Sequence, residues 1–263
     1  MNNAPIGIFD SGSGGLSIYQ SIVKMLPLES FVYLGDHAYL PYGEKSTEFI
    51  KQRVVQCIEF LNSQKVKLIV VACNSATVAG IDYFRSTFPE LPIIGVVPVV
   101  KTAAQMSKTK HFVVLSTKFT ANSVYQKDLI KKWAPDCLVS NIGSSSLVPL
   151  IEDGRVDGSD VEKELKKIFQ KLEDISFDVV VLGCTHYPFV RSTISAIVGD
   201  AVKVIDSGDA VARQVQRVLA HRGDLSERSL MVTKFFTTGD TSVVAKVFSQ
   251  LLNNEVKVTH VSL

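Results

Sequence analysis

No apolar run in this chain approaches the roughly 20 residues that a membrane helix needs; even residues 91–100 are interrupted by Pro92 and Pro98. An excess of one charge is also lacking. The formal net charge is +2 over 263 residues and the basic side chains are scattered, so no electrostatic footprint for nucleic acid stands out. The opening Met1-Asn2-Asn3-Ala4-Pro5-Ile6 has no basic segment followed by an apolar one, which speaks against a secretory signal. The expectation is a soluble cytoplasmic protein that binds neither nucleic acid nor membrane. Only four cysteines occur, at 57, 73, 137 and 184, and no Cys-x-x-Cys pair. That spacing excludes a zinc ribbon and a thioredoxin-type redox site, and no metal is expected. There is no dinucleotide fingerprint, no P-loop lysine, no Ser/His/Asp order and no signal for a pyridoxal lysine, so a nucleotide is not favoured.

What is present is a chain with 46% hydrophobic residues in which apolar runs alternate with one-sided helical patterns. Strands are expected at 5–9, 31–34, 68–71, 92–97, 111–115, 178–183, 202–205, 231–236 and from 256, with helices between them. Examples are the helices at 16–24, 47–64, 122–132 and 241–252. Such alternation points to α/β architecture with two doubly wound, mainly parallel sheets. A capping box, Ser159-x-x-Glu162, is expected to open the helix that carries Val161, Leu165, Ile168, Phe169 and Leu172.

Two stretches match each other. Leu68-Ile69-Val70-Val71-Ala72 ends at Cys73-Asn74-Ser75, and Asp178-Val179-Val180-Val181-Leu182-Gly183 ends at Cys184-Thr185-His186-Tyr187-Pro188. Each places a thiol at a strand-to-helix junction, at the sheet edge where open α/β proteins bind ligands. A helix N-terminus beside a thiol favours the reactive thiolate, and Pro188 marks the second helix start. An internal repeat is supported by spacing, since Asp10 precedes Cys73 by 63 positions (73 − 10) and Ser116 precedes Cys184 by 68 (184 − 116). Cys57 and Cys137 read instead as buried small hydrophobes. The turn Asp10-Ser11-Gly12-Ser13-Gly14-Gly15 suits an anion such as a carboxylate, Asp10 can orient or deprotonate a neighbour, and Gly43 lets its N–H approach a ligand. Glu152, by itself, reads as a solvated acid at a helix end.

Two thiols flanking one ligand suit inversion at a carbon with an acidic proton: one thiolate removes the proton and the opposite thiol returns one to the other face. Asn74, Ser75 and Thr185 are placed to bind the substrate carboxylate, with Asp10 and His186 as partners of the two cysteines.

Taken together, Asp10-Ser11-Gly12-x-Gly14-Gly15, Leu34-Gly35-Asp36, Pro41-Tyr42-Gly43, Ala72-Cys73-Asn74-Ser75-Ala76, Gly95-Val96-Val97-Pro98 and Leu182-Gly183-Cys184-Thr185-His186-Tyr187-Pro188 resemble the glutamate racemases of the aspartate/glutamate racemase superfamily. The resemblance implies a cofactor-independent enzyme that interconverts L- and D-glutamate and supplies D-glutamate for peptidoglycan. It implies two α/β domains, residues 1–97 plus 207–263 and residues 98–206, related by a pseudo-repeat with the active site in the cleft between them. Cys73 would be the base acting on D-glutamate and Cys184 the base acting on L-glutamate, assisted by Asp10 and His186, with Glu152 near His186. Substrate would be held by Asp10, Ser11, Tyr42, Gly43, Asn74, Ser75, Thr117, Thr185 and His186. Dimers are common in that family, which leaves a homodimer open. Two departures fall in the second half. Ser116-Thr117 stands where the family commonly has Gly-Thr, and Ser144-Ser145-Ser146 replaces a small-residue, Cys and Pro pattern.

Three other readings compete: a racemase of aspartate, hydantoins or another amino acid; a phosphate- or nucleotide-binding module built on the Asp10 turn with structural cysteines; and a thiol hydrolase using Cys184 alone.

Overall fold

The computed structural model describes residues 2–172, 175–227 and 231–263. Two compact units divide the chain, Met1–Val96 with Gly208–Leu263, and Val97–Ser207.

In the first unit the strands are β1 (Ile6–Asp10), β2 (Phe31–Gly35), β3 (Leu68–Val71) and β4 (Ile93–Gly95); in the second, β5 (His111–Thr117), β6 (Leu138–Ser144), β7 (Val179–Gly183) and β8 (Lys203–Ile205). After the second unit, β9 (Thr233–Thr237) and β10 (Val258–His260) join the first sheet. The sheet orders are β10-β9-β2-β1-β3-β4 and β6-β5-β7-β8, and every pairing is parallel. Parallel strands are covered by helices on both faces, which is why β2, β3 and β7, and β1 as far as Phe9, are continuous apolar runs, all buried.

The two sheets share one winding. In each, the first strand lies between the second and the third, and the fourth lies outside the third. The chain therefore reverses direction across β1/β3 and across β5/β7, and at such switch points the loops at the carboxyl edge part to leave a crevice. The register makes the two edges correspond. Phe9 pairs with Val71, two residues before Cys73, and Leu115 pairs with Leu182, two residues before Cys184.

At the opposite edge of the first sheet a buried ion pair ties the returning chain in place. Lys67, just before β3, reaches Glu29 Oε2 at 2.6 Å, and both side chains are buried. Its ammonium also donates to the carbonyls of Asn2 and Asp224, each at 2.7 Å, while Glu29 Oε1 accepts from Ser226 N at 2.8 Å. The helix Gly208–Arg222 packs on Leu16–Met25, and β9 adds to β2 with Phe31 opposite Thr233.

Three local expectations are corrected. The helix expected at 122–132 is two helices, Lys118–Asn122 and Val124–Trp133. Ser123 is extended (φ −65°, ψ 146°) and its side chain caps the second by accepting from Gln126 N. Ser159 does not form a capping box. The helix Ser159–Gln170 is entered through Gly158 at φ +86°, a conformation that favours glycine, so Ser159 is already the first helical residue and Glu162 pairs with Lys166 at 2.6 Å. Cys137 is half-buried at the edge of the second unit's core, whereas Cys57 is fully enclosed.

Removing one partner of a buried ion pair leaves the other charge uncompensated. Lys67→Met is therefore expected to lower the unfolding free energy by about 3–5 kcal/mol, with partial recovery in Lys67→Met/Glu29→Gln. Urea denaturation measures both; a single variant as stable as the parent would contradict the role given to this pair.

Candidate active site

Each unit carries one thiol site at its switch point. In the first, Cys73 is 5% exposed and is the N-cap of the helix Asn74–Thr87. Its sulfur takes the position a serine oxygen usually holds, accepting from Ala76 N at 3.5 Å. On another side it meets Ser11 Oγ, also at 3.5 Å. Asp10 closes β1 with no exposed surface, and its Oδ1 accepts from Gly12 N at 2.8 Å. The anion satisfying this part of the glycine turn is thus the chain's own carboxylate. Gly15 is required there, because an added Cβ would stand 2.6 Å from Asp10 Cβ and 2.8 Å from Tyr33 Oη. His37 braces the turn through Ser13 Oγ at 3.2 Å.

Asn74 and Ser75 form the first turn of the helix after Cys73 and are both buried. The Asn74 amide donates to the Val96 carbonyl at the exit of β4, 3.5 Å away. Tyr42 and Gly43 lie in a short 3-10 turn, Tyr42–Glu44. Tyr42 is buried, and its phenol donates to Asp36 Oδ2 at 2.6 Å. Burial, together with the Asp36 carboxylate beside it, pushes its pKa far up, so the phenol keeps its proton and remains a donor.

In the second unit Cys184 follows β7 and is also 5% exposed. No α-helix begins at its sulfur. A 3-10 turn, Tyr187–Val190, with Pro188 at its start comes before the helix Arg191–Val198. What faces this sulfur is His186 Nδ1 at 3.7 Å, and His186 Nε2 lies 2.6 Å from Glu152 Oε1. Burial works against a charge on His186, yet hydrogen bonds to Cys184 and Glu152 outweigh it and hold its pKa well above 6.5. A protonated imidazole has two N–H donors, and here one is aimed at sulfur and the other at carboxylate.

Glu152 is therefore not a solvated acid. It ends the helix Leu147–Glu152 with its side chain 13% exposed and turned to His186. Thr185 is buried beside the thiol. Thr117 is the N-cap of Lys118–Asn122, where its hydroxyl accepts from Thr120 N at 3.2 Å and donates to Thr120 Oγ1 at 3.1 Å. Among the described residues, no cluster of three or more His, Cys, Asp and Glu side chains could hold a metal ion.

Two contributors escape a reading of motifs alone. Tyr187 is wholly buried, and its hydroxyl reaches the carbonyls of Ser116 at 3.2 Å and Ser144 at 3.5 Å, tying the ends of β5 and β6 beneath Cys184. Arg53, in a helix that reads as packing, forms a buried ion pair with Asp36 at 2.7 Å. A signal existed for it: Arg53 falls on the same stripe as Ile50, Val54, Cys57, Ile58 and Leu61, where a charge needs a partner.

Two matching parallel sheets, each with a buried thiol at its switch point, define an α/β protein. The Asp/Glu/Hydantoin racemase family matches residues 6–215, and the chain belongs to it. It is 38% identical to a glutamate racemase of Ectopseudomonas mendocina over 257 residues, covering 98% of each chain. Among solved structures it is similar to a glutamate racemase isoform of Bacillus anthracis, with a TM-score of 0.93, 30% identity and coverage of 100% and 99%. It is also similar to a glutamate racemase of Francisella tularensis in complex with D-glutamate, with a TM-score of 0.88, 31% identity and coverage of 100% and 98%.

The proton on His186 gives the fold a pH signature. Folding raises the imidazole's affinity for its proton, so the stabilisation is present in full below the ordinary value of 6.5 and fades as pH climbs through the raised folded value. Glu152→Gln is expected to flatten that alkaline loss and to cost about 2 kcal/mol at neutral pH, typical of a charged hydrogen bond. Urea unfolding across this range reads both; the same pH dependence in parent and variant would contradict the His186–Glu152 pairing.

Proposed function

We propose that this chain is a glutamate racemase that needs no cofactor, using Cys73 and Cys184 as the two bases. Cys73 takes the α-proton of D-glutamate and Cys184 that of L-glutamate. The thiolate forms an S–H bond as the Cα–H bond breaks, and the electron pair left on Cα takes a proton from the opposite thiol. One turnover exchanges the two protonation states and leaves atoms and charge balanced.

The single observation that carries this reading is the equivalence of the two sulfurs. Each follows the third strand of an identically wound sheet, each is 5% exposed, and each has its own polar partners. A structural cysteine needs none of these. The relatives named above, all glutamate racemases, support glutamate over aspartate as substrate.

Asp10 and His186 assist the two sulfurs, and Glu152 keeps His186 protonated and oriented. Asp10, Ser11, Asn74, Ser75, Thr185 and His186 supply the polar groups that hold the substrate and take up charge as its carboxylate gains enediolate character. Tyr42 has its phenol committed to Asp36; its contribution, with Gly43, comes from backbone and ring. Thr117 serves through the turn it caps. No helix among the described residues is long and apolar enough to cross a membrane. The proposed role is supply of D-glutamate for peptidoglycan in the cytoplasm.

Incubation with L-glutamate or L-aspartate in heavy water, followed by optical rotation and α-proton loss, tests the assignment. Glutamate is expected to lose both rotation and its α-proton, and Cys73→Ala and Cys184→Ala are each expected to lower racemisation about a thousandfold or more. Turnover of aspartate alone would reject glutamate. Turnover surviving in Cys73→Ala would favour chemistry by Cys184 alone.

A further inference from the structure

Asp36 is a carboxylate with no exposed surface, surrounded by four donors. Arg53 grips it as a fork, Nε to Oδ2 at 2.9 Å and Nη2 to Oδ1 at 2.7 Å. Tyr42 Oη adds 2.6 Å to Oδ2, and Thr238 Oγ1 adds 2.8 Å to Oδ1. Asp36 N also donates to the Asp10 carbonyl at 3.0 Å, which anchors the arrangement to the end of β1. The Tyr39 ring covers the Arg53 guanidinium at 4.4 Å. One buried arginine thus organises both tyrosines of the loop that leaves β2: Tyr39 by stacking, Tyr42 through their shared carboxylate.

A buried ion pair is a weak way to gain stability, since apolar residues of the same volume often do as well. What it does supply is direction. The planar guanidinium meets both carboxylate oxygens as a fork while lying over a ring, a combination that the point charge of a lysine does not reproduce. Tyr42 is buried with its phenol bonded to Asp36 and its ring 6.1 Å from that of Phe9. The 3-10 turn holding Tyr42 and Gly43 packs on the helix capped by Cys73.

We propose that Arg53, acting through Asp36, is a positioning residue for substrate: it fixes Tyr42 and Gly43 beside the Cys73 site and so sets how tightly glutamate is held. The inference rests on the racemase reading above and deepens it. Arg53 touches no reacting atom, so its removal weakens binding while the proton-transfer step keeps its rate.

The test uses the full chain with Arg53→Lys, Tyr42→Phe and the double variant, measuring kcat and KM for L-glutamate together with thermal unfolding. Each single variant is expected to raise KM about tenfold and to leave kcat within about threefold. The double variant is expected to go little beyond the larger single effect, because both changes disable one device. A purely structural role would lower the active fraction, and hence apparent kcat, at constant KM. Unchanged KM in folded variants, or effects that add in full, overturns the proposal. If Arg53→Lys does not fold, Tyr42→Phe, which loses only a hydroxyl, decides. A parent chain inactive on glutamate would overturn the racemase reading and this one with it, whereas an active parent with unaltered variants overturns this one alone.

Discussion

A parallel sheet opens at its carboxyl edge only where the chain reverses its winding, and this protein has that reversal twice. The residues of the two thiol sites lie at or beyond this edge: at the ends of β1, β2 and β3 in one unit, and of β5, β6 and β7 in the other. The apolar strands fix where those segments start, and the register fixes which residues face one another across the switch point. With Phe9 opposite Val71 and Leu115 opposite Leu182, Asp10 corresponds to Ser116 and Cys73 to Cys184. The chemistry is thus imposed on a frame whose geometry is set by hydrophobic burial.

Within that common frame the two sulfurs are served differently. Cys73 uses the start of a helix: a backbone N–H, with a serine hydroxyl alongside. Cys184 has no such helix start and uses a charged relay of His186 and Glu152. Both arrangements place hydrogen-bonding groups at a buried sulfur. The difference follows the local backbone: Asn74 begins an α-helix directly, whereas Tyr187 and Pro188 enter a 3-10 turn that leaves no α-helical N-cap at the thiol.

Much of this was legible from residues alone. The apolar runs located most strands because a parallel sheet buries both faces, and the abrupt change from β-branched residues to Cys73 and Cys184 located the edge; β6, a half-buried edge strand of mixed polarity, was missed. The departures come from features that periodicity does not encode. Ser123 splits a helix because its side chain caps the second half, and Gly158 displaces Ser159 from a cap by adopting a positive φ. Glu152 is 34 positions from His186, so its pairing was open to resemblance but not to spacing. The pairing of Arg53 with Asp36 was hidden for the same reason: a buried charge is visible in an apolar stripe, but its partner is chosen by tertiary packing.

The central proposal is that sulfurs from two separate strand ends address opposite faces of one carbon. A crystal structure with bound D-glutamate tests it most directly, through the distances from the ligand's Cα to Cys73 Sγ and Cys184 Sγ. The account predicts both sulfurs within about 3.5–4 Å of Cα, on opposite sides, close to an attack geometry. A ligand seated with either sulfur out of reach, or with both on the same face, would contradict it.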